Sequence, residues 1–150
     1  MPASRQPSRS PWEDRFSTPT TEQLLSQYEG PAQSLASVGL TELEKRVGQP
    51  PSLEWLGLSW KWTLVYKVPG ETEPCAYLIP TPDWPSIALP VPLPIAEDIL
   101  IRRGSKYLRE TLVHACQVDQ VRWAQWSIQG KAQLADVLKL TTGIVEGQPV

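Results

Sequence analysis

The chain has 150 residues, 41% of them hydrophobic, and a formal net charge of -2. That apolar share supports a real core and excludes wholesale disorder, and the length suits one domain better than two. The slightly acidic balance excludes the basic field that draws nucleic acid or anionic lipid, so neither is expected as a partner.

Seven tryptophans against one phenylalanine mean that core or pocket surfaces are indole-lined. The two cysteines, Cys75 and Cys116, lie in apolar contexts without a CxxC spacing. They read as two reduced, buried thiols, and no metal or other cofactor is expected. No apolar leader opens the chain and no run is long enough to cross a bilayer, so the expectation is a cytoplasmic protein without a membrane partner.

Residues Met1 to Ser17 are rich in Pro, Ser and Arg and lack periodicity, which predicts a disordered tail. One domain then covers residues 18–144, and 145–150 form a frayed end. Thr18 is placed to cap a short helix with Pro19 in its first position, and Leu24, Leu25 and Tyr28 make its apolar face. A second helix follows from Pro31 to Val47. Ala36, Leu40, Leu43 and Val47 fall on one stripe, and Gly48 with Pro50-Pro51 stops it.

Leu53–Leu56 reads as a short strand. The central element is Ser59-Trp60-Lys61-Trp62-Thr63-Leu64-Val65-Tyr66-Lys67, whose alternation has the period of a half-buried strand. It predicts Trp60, Trp62, Leu64 and Tyr66 on a face covered by helices. Ser59, Lys61, Thr63, Val65 and Lys67 fall on the other face, towards water. A loop over Pro69–Pro74 leads to a strand at Cys75–Ile79. The next strand, Trp84 to Val91, runs into Pro90, Pro92 and Pro94. Prolines two apart remove N–H donors along one side, which predicts an edge strand or a departure from the sheet.

Pro94 starts a helix over Ile95–Arg103, with Gly104 as its cap. Ser105 caps another over Lys106–Cys116. Val118–Ile128 is the last strand, with Val121, Trp123 and Gln125 opposite Arg122, Ala124 and Trp126. Lys131–Leu140 is the last helix, burying Leu134, Val137 and Leu138. Strands grouped together, not alternating singly with helices, predict an α+β fold. Its antiparallel sheet of four to five strands packs against N-terminal and C-terminal helices.

The threonine-proline start, the amphipathic helix, Trp62-x-x-x-Tyr66-Lys67, the strand ending at Pro80, the aromatic start at Trp84 and the late Trp123 strand occur in a suggestive order. In that order they resemble a bacterial family of unknown function, number 3788, over Thr18 to Ile144. The resemblance implies a small α+β fold and no established activity or cofactor. Two departures stand out: Val65 where relatives often carry a basic residue, and Gln129-Gly130 where they often carry Lys-Asp.

Motifs for chemistry are sparse. There is no P-loop, dinucleotide glycine fingerprint, nucleophile elbow or zincin motif. Glu110 lies four residues before the single histidine, His114, so the pair could act as base and acid on one helix face, with Arg122 nearby. A lone histidine on a helix flank is more often structural, and no catalytic residue is assigned. His114 and Cys116 are too few to hold a metal.

The indoles carry the remaining signal. Trp60, Trp62, Trp84, Trp123 and Trp126 fall on strands that can adjoin, and a plain aromatic core accounts for them. The sharper expectation is a pocket on the sheet formed by Trp60, Trp62, Tyr66, Trp84 and Trp123, with Lys61, Lys67 and Arg122 as polar anchors. The functional expectation is therefore a non-enzymatic module that binds a small molecule or a protein on its aromatic-rich sheet. The alternatives are an enzyme with a sparse Glu110, His114 and Arg122 site, or an immunity-type protein that docks a partner through an edge strand at Pro85–Pro94.

Overall fold

The structure, a computed structural model, describes residues 10–101 and 105–147. Helix α1 (Thr21–Leu25) and helix α2 (Gly30–Val47) come first, followed by β1 (Ser52–Trp55) and the single turn α3 (Gly57–Trp60). Strands β2 (Trp62–Tyr66), β3 (Ala76–Ile79) and β4 (Ser86–Pro92) lead to α4 (Leu93–Ile101) and α5 (Lys106–Val113). Strands β5 (Cys116–Val118) and β6 (Val121–Ser127) precede α6 (Lys131–Glu146). The expected α+β fold with an antiparallel sheet is present. Its sheet has six strands, in the order β1-β2-β3-β4-β6-β5, where four to five were expected.

The registers put Leu64 opposite Leu78, Leu78 opposite Ile87, and Ile87 opposite Trp126. This row crosses four strands, and all four side chains are buried. With Tyr66, Leu89 and Ala124 it forms a face sealed by Leu35, Leu43 and Val47 of α2, Ile95 and Ile99 of α4, Leu108 and Leu112 of α5, and Leu134, Val137 and Leu138 of α6. Helix α2 runs unbroken through Gly39, as its single apolar stripe predicts, and ends at Gly48 with φ +98°. That left-handed angle is one a Cβ disfavours, so glycine is the natural stop.

The opposite face is not wet. Thr63 and Val65, expected towards solvent, are buried, together with Tyr77, Ile79 and Ala88. Their cover comes from Trp12 and Leu24, with Trp60 packed against them. Residues 10–17, expected as part of a tail, fold back in turns. The Trp12 Nε1 donates to the Trp60 carbonyl at 2.8 Å, and the Trp62 Nε1 donates to the Asp14 carbonyl at 2.7 Å. Residues 1–9 lie outside the described residues.

The alternation of Ser59–Lys67 overreached by three residues at its start and one at its end. Gly57–Trp60 coil into α3, and Lys61 takes φ +56° before β2 begins at Trp62. This reversal carries Trp60 off the Leu64 face and onto the side of Tyr77, where the ring centroids are 5.0 Å apart.

Strand β4 is interior, between β3 and β6, and not the expected edge. The Ile128 N–H donates to the Pro85 carbonyl at 2.8 Å, so the odd-numbered backbone groups of β4 face β6. Pro90 and Pro92 therefore lack N–H groups only on the side towards β3. The register of β3 pairs it with Ser86 to Ala88, so on that side no strand of the sheet lies opposite those prolines, whereas on the other side β6 sets Trp123 opposite Pro90 and Val121 opposite Pro92. The prolines are accommodated because β3 stops short.

Other boundaries shifted for local reasons. Thr20, not Thr18, caps α1: its hydroxyl accepts from the Gln23 N–H, and the Gln23 side chain accepts from the Thr20 N–H. Helix α5 stops at Val113, and Cys116 opens β5, so Cys116 is exposed whereas Cys75 is buried. Both thiols are free, but only one is buried, not two as expected. Helix α6 runs to Glu146 and ends at Gly147 with φ +71°, so 145–147 belong to the fold. Residues 102–104 and 148–150, covering the expected Gly104 cap and the rest of the frayed end, lie outside the described residues. No described helix is long and apolar enough to cross a membrane.

Candidate functional site

A concavity lies on the outer side of the helix layer, between α2 and α6. Each helix presents more apolar surface than the sheet consumes. On α2, Leu35 is buried while Val38, three residues on, is 49% exposed. On α6, Leu134 and Leu138 are buried while Ala135 beside them is exposed. These five side chains line a groove of about 930 Å³. Two buried or half-buried hydroxyls next to it are satisfied within the helix. Thr141 donates to the Val137 carbonyl at 2.9 Å and Thr142 donates to the Leu138 carbonyl at 3.2 Å. These two hydroxyls therefore add no unmet polar group to the α6 side of the groove.

Charge is confined to the rim. On the α2 side the Glu42 carboxylate meets Arg46 at 2.7 Å and Lys45 at 3.3 Å. The Arg46 hydrogen bond, then that from Lys45, holds the Glu42 carboxyl below the usual range. On the α6 side Lys131 and Lys139 are exposed, and among the described residues neither has an acidic partner. Glu146 lines the far end.

A second, more polar hollow of about 470 Å³ is lined by Gln27, Tyr28, Glu29, Asp83 and Trp84 among others. Two of its polar groups are engaged. The Tyr28 hydroxyl donates to the Thr81 carbonyl at 2.6 Å, and the Gln27 amide donates to the Pro80 carbonyl at 3.0 Å. Burial pushes the Tyr28 phenol well up, so it stays a neutral donor.

The expected sheet pocket is split between two faces. Trp60 and Trp123 do come together, on either side of Tyr77, with centroid distances of 5.0 and 5.8 Å. Trp62 is buried and contacts Trp55 edge-on at 5.7 Å. Tyr66 lies on the helix face, donating to the Leu40 carbonyl at 3.2 Å. Arg122 is also on that face, where its guanidinium donates to the Leu112 carbonyl at 2.9 Å. The Lys61 ammonium sits 4.5 Å from the centre of the Trp12 ring, and Lys67 is half-buried beside Gln49, which bonds its carbonyl. Trp84, which precedes β4 and is not part of it, lines the smaller of these two hollows. Neither concavity is lined by two of these tryptophans.

The Glu110 and His114 pair does not assemble either. Helix α5 ends before His114, which caps it by donating its backbone N–H, and the Glu110 carboxylate faces Lys106 at 3.7 Å. Both residues are exposed. Among the described residues no three His, Cys, Asp or Glu side chains gather in a way that could hold a metal ion.

No family model, curated protein or solved structure matches the chain. Lys131, Lys139, Val38 and Ala135 went unassigned because attention to one stripe per helix hides a second. The signal was available: Leu35 and Val38 repeat at three residues outside the Ala36, Leu43 and Val47 stripe.

Proposed function

We propose that this chain is a non-enzymatic binding module that takes its partner in the groove between α2 and α6. The observation that carries the reading is the groove: about 930 Å³, floored by Leu35, Val38, Leu134, Ala135 and Leu138, with charge only at its rim. That volume is near the upper end for ligand sites, and an apolar trough with a few polar edge groups is their usual make-up. The aromatic sheet, the surface favoured by sequence, has its indoles tied into the fold and offers less. A cytoplasmic setting fits two unpaired thiols, one of them exposed on an edge strand.

The test uses anilinonaphthalene sulfonate, a small anionic apolar dye. One saturable dye site is expected on the full chain. It should vanish in the Val38→Glu, Ala135→Glu double variant, whose exposed positions leave the fold and its circular dichroism unchanged. Equal dye binding by both proteins would move the site elsewhere.

A further inference from the structure

Resting on that reading of the groove, we infer that its occupant is an amphipathic helix of another protein, with acidic residues two turns apart on one flank. Three features point to this chemistry. The α6 wall runs from Lys131 to Glu146, sixteen residues, or about 24 Å at 1.5 Å per residue. A trough between two helices, one of them of that length, accepts an apolar stripe of about four helical turns.

The walls are helices whose backbone groups are bonded within themselves. They present no ladder to an extended strand, so recognition rests on side chains. An occupant helix lying along α6 offers leucine-like residues at three- and four-residue spacing to Val38, Leu134 and Ala135.

The rim then selects charge. Lys131 and Lys139 are eight residues apart, about 12 Å along the axis, and have no acidic partner among the described residues. Glu42 across the groove is already matched by Arg46 and Lys45. Two ammonium groups along the α6 wall, without an acidic partner among the described residues, are complementary to two carboxylates seven or eight residues apart on a helix beside them. A fatty acid carries one head group and would meet only one lysine. Glu146, at the other end of the wall, disfavours a third acidic residue and so sets direction.

The experiment uses the full chain and two fluorescein-labelled helical peptides of about 18 residues, long enough to span the trough. Both carry the same Leu and Ala stripe; one has Glu at i and i+7 on its flank and the other has Lys. In fluorescence anisotropy the acidic peptide is expected to bind roughly tenfold more tightly or better, a difference of about 1.4 kcal/mol. The Lys131→Glu, Lys139→Glu variant should reverse that order, and Val38→Glu with Ala135→Glu should abolish binding of both. Equal affinities unaffected by the lysine changes would overturn the charge match while leaving the groove in use. Displacement of the dye by palmitate, with neither peptide bound, would overturn the helical occupant and make the groove a lipid site. Absence of a groove-dependent dye site would overturn the underlying reading as well.

Discussion

The backbone N–H of Trp62 donates to the carbonyl of Trp12 at 3.3 Å, although fifty residues separate them. Together with the two indole hydrogen bonds alongside, this contact makes the N-terminal segment the lid of the second sheet face. Trp12 is only 6% exposed. Trp12→Ala removes a buried indole and should cost about 3 kcal/mol or more, read from urea unfolding monitored by circular dichroism. Phe16→Ala is the control: its ring is 88% exposed, so no measurable change is expected. Equal midpoints for the two variants would dismiss the lid.

Ser105 joins two helices. Its hydroxyl accepts from the Leu108 N–H at the start of α5 and donates to the Asp136 carboxylate of α6 at 2.6 Å. Loss of a capping hydroxyl costs about 1 kcal/mol, and here the carboxylate also loses a donor. Ser105→Ala should therefore lower the unfolding midpoint more than Thr20→Ala, whose capping box is exposed. Parallel urea titrations of the two variants decide it.

The cysteines should differ sharply. Burial pushes the Cys75 thiol up, whereas Cys116 is exposed on β5. A thiol reagent should modify one cysteine quickly in the native protein and the second only on unfolding, since the thiolate is the reactive form. Mass spectrometry after brief labelling should locate the first adduct at Cys116. Prompt labelling of Cys75 would contradict its burial.

Alkali should weaken the fold. Burial raises the phenols of Tyr28 and Tyr66, and that of Tyr107 is pushed up to about 12 by burial and then by Asp136. A raised folded pKa favours the neutral form. This contribution is complete below the ordinary tyrosine value of about 10 and is lost as pH climbs through the folded values. Melting temperature should fall steadily over that window, with tyrosinate absorbance rising only as the protein unfolds. On the acid side the lowered Glu42 carboxyl works in the opposite sense: its contribution is present above the usual carboxylate range and fades as pH drops through its folded value. Because the Glu42 side chain keeps about a third of its surface in water, salt should weaken that part.

Much of the architecture could be read from residue order because local rules and tertiary packing agreed. The α2 stripe with its Gly48 stop, the Ser105 cap and the inward set Leu134, Val137 and Leu138 each follow from one period and one cap. Reading failed where long-range contacts overrode a local pattern. Alternation through Trp60 and Trp62 was broken by Lys61 at positive φ, a conformation no propensity predicts for lysine. A Pro-, Ser- and Arg-rich start concealed one tryptophan whose partner lies forty-eight residues away. The groove was missed for another reason: it exists only because two helices, distant in sequence, lie side by side.

The placement of Pro90 and Pro92 bears on how this sheet keeps company with itself. Their bare flank of β4, beyond the end of β3, is the kind of interior gap where a strand from a neighbouring molecule could lodge and seed a growing aggregate. Two absent N–H groups leave that flank with acceptors but few donors, so an intruding strand gains little. Restoring the donors with valine would spare the fold yet convert a quiet gap into an adhesive one, visible as turbidity that rises with protein concentration. The shortness of β3 and the prolines of β4 are thus two halves of one safeguard.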